Sequence, residues 1–483
     1  MKLSELIKNT GVVSVSGKTD IDISFVTNDS RKVSAGTVFV AVTGCGNDGR
    51  AFIPSAIAAG AVAVVREGEP SEDSGVTEVI VENSRYAAAI IADAFYEHPS
   101  RDLKLVGITG TNGKTTTVTL LYNMFRKLGY GCGLLSTIAN YVGEQRLETA
   151  NTTSDPFTIN SLMAKMVQAG CEYCFMEVSS IGVEQDRVSG LDFNVGIFSN
   201  LTHDHLDYHG TFAEYLRCKK LFFDRLPAGA CAIINADDRN GMIMTQNTRA
   251  EVMTYSCRSV ADHSCRIIEQ GFDGMLLKID GTEVWCRLVG AHNAYNLLAI
   301  YCAALALGAQ KEEVLVALSS LESAPGRLET MNGPKGINVI IDYAHTPDAL
   351  ENVLRTLRDV APESELDCLF GCGGDRDRTK RPEMAAVAEK YADRIFVTSD
   401  NSRTERTEDI IDDIVKGFTP EGRAKAVCIS DRKEAIRSAI MFAPCNATIL
   451  LAGKGHETYQ IIGKEKAHFD EREIVNEVFK NLR

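Results

Sequence analysis

Residues 103–117 read L-K-L-V-G-I-T-G-T-N-G-K-T-T-T, and no other stretch limits the fold so strongly. An apolar strand, a glycine-rich turn and the start of a helix follow one another. Gly107, Gly110 and Gly113 lack the side chains that would keep backbone N–H groups from closing on an anion, and the helix adds its positive end. Phosphate is the natural occupant. Lys114 would reach the outer phosphates as a point charge, and the Thr115 hydroxyl would ligate a magnesium ion shared with them. Ile108 stands where the strict G-x-x-x-x-G-K-[ST] pattern has its first glycine. The bland alternative, a Gly/Thr-rich connector beside a solvated lysine, stays open at this point.

At 483 residues the chain exceeds one hydrophobic core, and ordinary domain sizes predict about three domains. Its 45% hydrophobic and 24% charged residues are those of a globular protein. A formal charge of −14 disfavours non-specific binding to nucleic acid or to an anionic membrane, so anionic substrates need local basic sites. The start, MKLSELIKNTG, carries no secretory apolar region, and no apolar run reaches the length of a membrane span. A cytoplasmic, monomeric protein is expected. The fourteen cysteines read as reduced, mostly buried small hydrophobes rather than a disulfide framework.

The pattern predicts an α/β protein of three domains: a small N-terminal α/β domain over 1–102, a central parallel-sheet domain of the phosphate-loop type over 103–324, and a Rossmann-like domain over 325–483. In the first, FVAV is followed by a Gly-rich turn (Thr43 to Gly49) and IPSAIAAGAVAVV. Glu97 to Asp102, with Pro99, reads as a linker. YCFMEV, FNVGIFS and Cys231–Asn235 are strand signals of the second, with ligands expected at their C-terminal ends. Met253 to Val289 alternates and carries Asp-Gly turns, which predicts an antiparallel excursion.

Several residues at predicted strand ends are candidates for chemistry. Glu177 closes YCFMEV, where a carboxylate is placed to hold a metal or to cap a helix. Asn200 to Gly210 reads N-L-T-H-D-H-L-D-Y-H-G. Its His203, His205, Asp207 and His209 miss the H-x-H-x-D-H spacing of binuclear zinc hydrolases by one residue, since Tyr208 intrudes; zinc-activated hydroxide is therefore the rival chemistry. With a phosphate loop upstream, magnesium and phosphoryl transfer are favoured, with His205 as a magnesium ligand. Arg327, Asp342, Arg376 and Arg403 flank or follow strands in the last region, where an arginine fork suits a carboxylate or phosphate.

Together these stretches resemble the Mur ligase family, the ATP-dependent amide-forming enzymes of peptidoglycan synthesis. The likeness runs through D-S-R, F-V-A-V, G-T-N-G-K-T-T, N-T-T-S-D-P, E-V-S-S, D-H-L-D-Y-H-G, L-R-C-K-K-L-F, G-R-L-E, D-Y-A-H-T-P-D, G-C-G-G-D-R-D, D-N-S-R and A-G-K-G-H-E-T-Y, in that order. It implies that the three domains take a UDP-linked substrate, ATP and an amino acid in turn. It further implies that Glu177, His205 and a Lys219 carbamylated by carbon dioxide hold one magnesium, with a second at Thr115. An ammonium cannot ligate a cation, whereas a carbamate offers two oxygens and a negative charge. Catalytic roles fall to Lys114, Glu177, His205 and Lys219. ATP contacts fall to Gly110, Thr111, Asn112, Gly113, Lys114, Thr115, Thr116, Asn293, Asn296, Arg327 and Asp342. Ser30, Thr152, Thr153, Ser179, Gln185 and Arg187 match contacts to a UDP-muramoyl dipeptide, and Arg376, Asp400, Asn401, Arg403, Gly453 and Glu457 match contacts to the amino acid.

The implied reaction has two steps: the dipeptide's terminal carboxylate attacks the γ-phosphate of ATP, and an amine then displaces phosphate from the acyl phosphate. The family's diaminopimelate-adding members carry D-N-P-R, whose arginine pairs with the second carboxylate of that amino acid. This chain has Asp400-Asn401-Ser402-Arg403. A charged hydrogen bond is worth roughly 1.5–3 kcal/mol, so meso-diaminopimelate is expected over L-lysine. Ile181, Ser154 and Cys45 also depart from the family pattern, without touching a phosphate or metal ligand. Alternatives are an L-lysine-adding ligase, a folylpolyglutamate-synthetase-like ligase, an ATP-binding regulator without turnover, and the zinc hydrolase.

Overall fold

The computed structural model describes residues 1–44, 48–70, 75–149, 151–202 and 206–482. They form two compact units, Met1–His263 with Ala299–Val314, and Ser264–Leu298 with Leu315–Arg483.

Unit one contains two sheets. The first comprises β1 (Val12–Ser16), β2 (Phe25–Thr27), β3 (Thr37–Val40), β4 (Ala61–Arg66) and β5 (Thr77–Val81), in the order β1-β5-β4-β3-β2. Only β1 runs antiparallel, against β5. β3 and β5 are buried at every residue, as strands covered on both faces must be. Asn83 caps the helix Ser84–Phe95 by accepting from the Arg85 and Tyr86 amides.

The second sheet uses β6 (Lys104–Thr109), β7 (Cys132–Leu135), β8 (Asn140–Val142), β9 (Gln145–Leu147), β10 (Tyr173–Glu177), β11 (Val195–Phe198), β12 (Cys231–Asn235) and β13 (Glu251–Ser256). Their order is β13-β12-β11-β6-β10-β7-β8-β9, parallel from β13 to β7. Gly107 lies inside β6 and not in the phosphate turn. A Cβ there would fall 2.6 Å from the Phe193 ring and 2.8 Å from the Phe222 ring. Its role is to let those two rings meet edge to face, 5.0 Å apart.

Glu97 to Asp102, the expected linker, is held at several points. Glu97 and His98 take φ of 61° and 57°, His98 Nδ1 lies 2.6 Å from Asp93 Oδ2, and buried Ser100 accepts the Asp192 amide. The antiparallel excursion begins later than Met253, because β13 pairs parallel with β12. Cys171 and Cys174, in C-x-x-C spacing, are both free and buried, and burial raises both thiols from their ordinary value.

In unit two, β14 (His263–Gly271), β15 (Gly274–Ile279) and β16 (Thr282–Cys286) make an antiparallel meander. β17 (Glu329–Asn332), β18 (Asn338–Asp342), β19 (Leu366–Phe370), β20 (Arg394–Val397), β21 (Ala426–Cys428) and β22 (Thr448–Ala452) form a sheet in the order β17-β18-β22-β19-β20-β21. Only β17 is antiparallel. A hairpin of β23 (Tyr459–Ile462) and β24 (Glu465–His468) follows. The expected α/β class holds in both units.

This second core contains an ion pair with no solvent exposure. Arg432 donates to Glu471 Oε1 at 2.8 Å and to the carbonyls of Ser399 and Ala452 at 3.1 and 2.8 Å, and both side chains are 0% exposed. Removing one partner strands the other charge. Glu471→Ala is therefore expected to lose about 3–5 kcal/mol of stability, read by urea denaturation.

Candidate functional site

The register of β6 and its neighbours sets the site. Glu177 on β10 stands opposite Ile108, and Phe198 on β11 opposite Thr109, so three parallel strands end at one level. The turn 110–113 leaves β6 there, and Gly113, at φ 89°, leads into the helix Lys114–Lys127. Gly110 is enforced by contact: a Cβ would lie 1.9 Å from Ser199 Oγ. The loop after β11 holds the turn. Asn200 O accepts the Thr111 amide at 2.8 Å and Asn200 Oδ1 the Asn112 amide at 2.9 Å, while Ser199 Oγ donates to Asn112 O at 2.7 Å.

Two lysines converge on this turn. Lys114 Nζ donates to the carbonyls of Gly110 and Thr111, each at 2.9 Å. Lys219 Nζ donates to the same Gly110 carbonyl at 2.8 Å, from the helix Phe212–Asp224. Lys219 is 1% exposed and sits 4.6 Å from the centre of the Tyr215 ring, so it is no surface helix lysine. Tyr215 went unnoticed in the sequence; its hydroxyl is 3.0 Å from that of Thr111. Thr115 and Thr116 are buried at the helix start.

Beside the turn, Glu177 is buried and its Oε1 accepts the Thr137 amide at 2.8 Å. Thr153 donates to the Glu177 carbonyl at 2.9 Å and accepts the Ser179 amide at 3.0 Å, while Thr152 accepts from Thr137 at 3.1 Å. Arg187 donates to Thr153 O at 2.6 Å and to Gln185 Oε1 at 2.7 Å, and burial lowers its guanidinium from the ordinary value. Ser179 caps the short helix Ser180–Glu184, which contains Ile181. Five of the six residues matched to the UDP-linked substrate, Thr152, Thr153, Ser179, Gln185 and Arg187, thus lie along one hydrogen-bonded ridge with Glu177. The sixth, half-buried Ser30, opens the turn Ser30–Lys32 after β2, whose other two residues are exposed.

His203 and His205 lie outside the described residues, as does Cys45. His209 is buried, with Nε2 2.9 Å from Ser180 Oγ. Among the described residues no group of three or more His, Cys, Asp or Glu is arranged to hold a metal. A buried carboxylate at Glu177 and a hydroxyl at Thr115 are hard oxygen donors, which suit magnesium better than zinc.

In the second unit, Asp342 ends β18 and accepts the amides of Leu328 and Ala344 at 2.7 and 2.8 Å. Burial raises its carboxyl, partly offset by Arg327, whose guanidinium lies over the Tyr343 ring at 5.1 Å. Asn293 and Asn296 are buried and joined to each other, Nδ2 to Oδ1, at 3.0 Å. Asp400, Asn401, Ser402 and Arg403 follow β20. Asn401 donates to Glu457 Oε2 at 2.9 Å, and Arg403, at φ 49°, donates to Gly374 O at 2.8 Å. Gly453, at φ 112°, stands where a Cβ would come 3.3 Å from Asp400 Oδ2. Arg376 is exposed, and its stem flanks Gly373 together with the Arg403 guanidinium: a Cβ on Gly373 would lie 3.7 Å from Arg376 Cγ and 3.0 Å from Arg403 Nη1. Lys454, flanked by glycines three residues before Glu457, also escaped the sequence reading.

Three stretches of the chain match the family's profiles: residues 22–96 the "Mur ligase family, catalytic domain", 108–304 the "Mur ligase middle domain", and 326–455 the "Mur ligase, glutamate ligase domain". The chain belongs to the Mur ligase family. A protein of Parabacteroides distasonis named UDP-N-acetylmuramoyl-L-alanyl-D-glutamate–2,6-diaminopimelate ligase is 50% identical to it over 99% of both chains. One of Cytophaga hutchinsonii with the same name is 49% identical over the whole of both. A solved structure of a ligase so named superimposes with a TM-score of 0.72 at 30% identity, covering 100% of this chain and 99% of that one.

The packing of the turn generates a test. Gly110→Ala should leave the fold cooperative but weaken binding of a non-hydrolysable nucleoside triphosphate by more than about tenfold, measured by calorimetry.

Proposed function

We propose that this chain is an ATP-dependent ligase that adds meso-2,6-diaminopimelate to UDP-N-acetylmuramoyl-L-alanyl-D-glutamate in peptidoglycan synthesis. The observation that carries the reading is the activity named for relatives half identical to it from end to end. In this reading residues 1–102 take the uridine part of the substrate, 103–324 the ATP, and 325–483 the amino acid. An enzyme using ATP and a nucleotide-linked precursor suits a cytoplasmic monomer. Among the described residues no helix is long and apolar enough to cross a membrane.

The glutamyl carboxylate attacks the γ-phosphorus and ADP leaves, giving an acyl phosphate. The amine of the incoming amino acid then attacks the acyl carbon, phosphate leaves, and the amine proton passes to solvent. The N–H groups that open the helix Lys114–Lys127 and the Lys114 ammonium stabilise the charge that spreads over the transferred phosphoryl group, while Asn200 holds the Thr111 and Asn112 amides of the turn in place. The ridge of Thr152, Thr153, Ser179, Gln185 and Arg187 orients the dipeptide, which makes the attack effectively intramolecular.

Thr115, Glu177, His205 and Lys219 are the residues that would hold two magnesium ions. Magnesium supplies neutralisation of the phosphate charge. Lys219 fits this role only as a carbamate. The carbamate nitrogen keeps one N–H, so the 2.8 Å bond to Gly110 O can persist while two oxygens replace the ammonium. The preference for diaminopimelate rests on Arg403, whose guanidinium is held by Gly374 O and stands next to the buried Ser402.

Phosphate release with ATP, the UDP-muramoyl dipeptide and each amino acid tests the proposal. Meso-diaminopimelate should be turned over at least about tenfold better than L-lysine by kcat/KM; equal or better use of lysine would overturn the amino-acid assignment. Lys219→Ala should lose about a hundredfold or more in kcat, with partial recovery in short carboxylic acids that supply the missing oxygens. Full activity in that variant would remove the carbamate from the mechanism.

A further inference from the structure

Lys454 is a fully buried cation among the residues matched to the amino acid. Its side chain is 0% exposed, and its ammonium lies 3.1 Å from Glu457 Oε2, 3.3 Å from Asn401 Oδ1 and 3.5 Å from Asp400 Oδ1. The rings of Tyr459 and Phe469 stand 5.8 and 5.9 Å away. An ammonium withdrawn from water costs several kcal/mol unless its donors are used. Here the fold is bent to place it. Gly453 and Gly455 on either side take φ of 112° and 52°. A Cβ on Gly455 would fall 2.7 Å from Tyr343 Cβ and 2.8 Å from Gly326 O.

The array it joins is closed on itself. Asn401 Oδ1 accepts both Lys454 and the Ile461 amide, at 3.3 and 2.9 Å, so its Nδ2 must face Glu457. Glu457 Oε2 is then gripped by two donors, Asn401 Nδ2 at 2.9 Å and Lys454 Nζ at 3.1 Å. Asp400 accepts the Asn401 amide at 2.7 Å. Without Lys454, the Asp400 and Glu457 carboxylates would face one pocket with no ammonium between them, and the Ile461 amide alone would hold Asn401 Oδ1.

We propose that Lys454 is a positioning residue for the incoming amino acid: it fixes Asp400, Asn401 and Glu457 as one array that receives the substrate's ammonium group. This rests on the ligase reading above, in which Asn401 and Glu457 face the amino acid. The charges around it are consistent with the assignment. Burial works to raise the Asp400 carboxyl, but Lys454 first, then Arg432, carry it below the usual carboxylate range, with His345 adding in the same direction. Arg432 is itself committed to Glu471, and Arg403 to backbone carbonyls. Lys454 is thus the cation that touches both carboxylates, and the first to hold the Asp400 carboxyl down.

The test is Lys454→Met in the full-length enzyme, with the three substrates varied separately. The KM for meso-diaminopimelate should rise by more than about tenfold, while those for ATP and the UDP-linked dipeptide move less than about threefold. The ratio of variant to wild-type KM for the amino acid should shrink as pH rises from about 6.5 to about 8.5, because the Asp400 carboxyl, raised by burial once Lys454 is gone, ionises again. Equal losses for all three substrates, or a ratio flat with pH, would reduce Lys454 to a structural role and overturn the proposal. Should the methionine variant not fold, Glu457→Gln, which keeps the volume, is decisive instead. It should raise only the amino-acid KM, with no recovery at high pH, and an unchanged KM would overturn the array. Wild-type enzyme that forms no ADP with either amino acid would instead refute the ligase reading itself.

Discussion

The parallel pairing of β6 with β10 on one side and β11 on the other is the constraint on which the first unit's site depends. Parallel strands in register end together, so Glu177, the turn after Thr109 and the Ser199–Asn200 loop are delivered to one level by backbone hydrogen bonds alone. The side chains then have short distances to close. Ser199 and Asn200 hold the turn from the β11 side, and Lys219 reaches the Gly110 carbonyl from a separate helix. A slip of one residue between β6 and β10 would turn Glu177 to the other face of the sheet, away from the turn.

Much of this was legible because the signals are local. An apolar strand, a turn rich in glycine and a Lys-Thr helix start form one continuous stretch, and the alternation of strand and helix patterns gave the parallel sheets. What could not be read are features made by distant parts of the chain. Lys219 belongs to an amphipathic helix whose pattern does not say that one lysine is turned inward; its burial follows from the 109 residues that separate it from Gly110 folding back. Gly107 was assigned to the phosphate turn because glycine there looked local, yet its reason is the meeting of Phe193 and Phe222. Tyr215 looked like any aromatic on a helix. Its hydroxyl acquires meaning only from Thr111, 104 residues earlier.

The second unit follows the same division. Strand ends at Asp342 and Asp400 were visible as polar breaks after apolar runs, and the Gly-Lys-Gly sequence was visible as part of the A-G-K-G-H-E-T-Y stretch. That the lysine between those glycines points inward was not, because glycine supplies freedom of backbone without fixing its direction. The structure resolves the ambiguity by contact: Tyr343 and the Gly326 carbonyl occupy the space beside Gly455, and Asp400 the space beside Gly453.

Buried charge in this unit is used in two different ways, and the difference bears on function. Arg432 spends its donors on Glu471 and on two main-chain carbonyls, a geometry that satisfies a guanidinium's rigid fork and leaves little to exchange with a ligand. Lys454 holds a softer arrangement: a point charge at 3.1 to 3.5 Å from three oxygens, two of them on side chains that a substrate ammonium would also seek. A rigid ion pair fixes a fold. A cation bound less closely to carboxylates can lend them to a ligand while keeping them charged, because the Coulomb attraction falls slowly with distance whereas a hydrogen bond does not. That contrast, two buried cations with opposite commitments, separates the residue fixed to the main chain from the one proposed to position the amino acid.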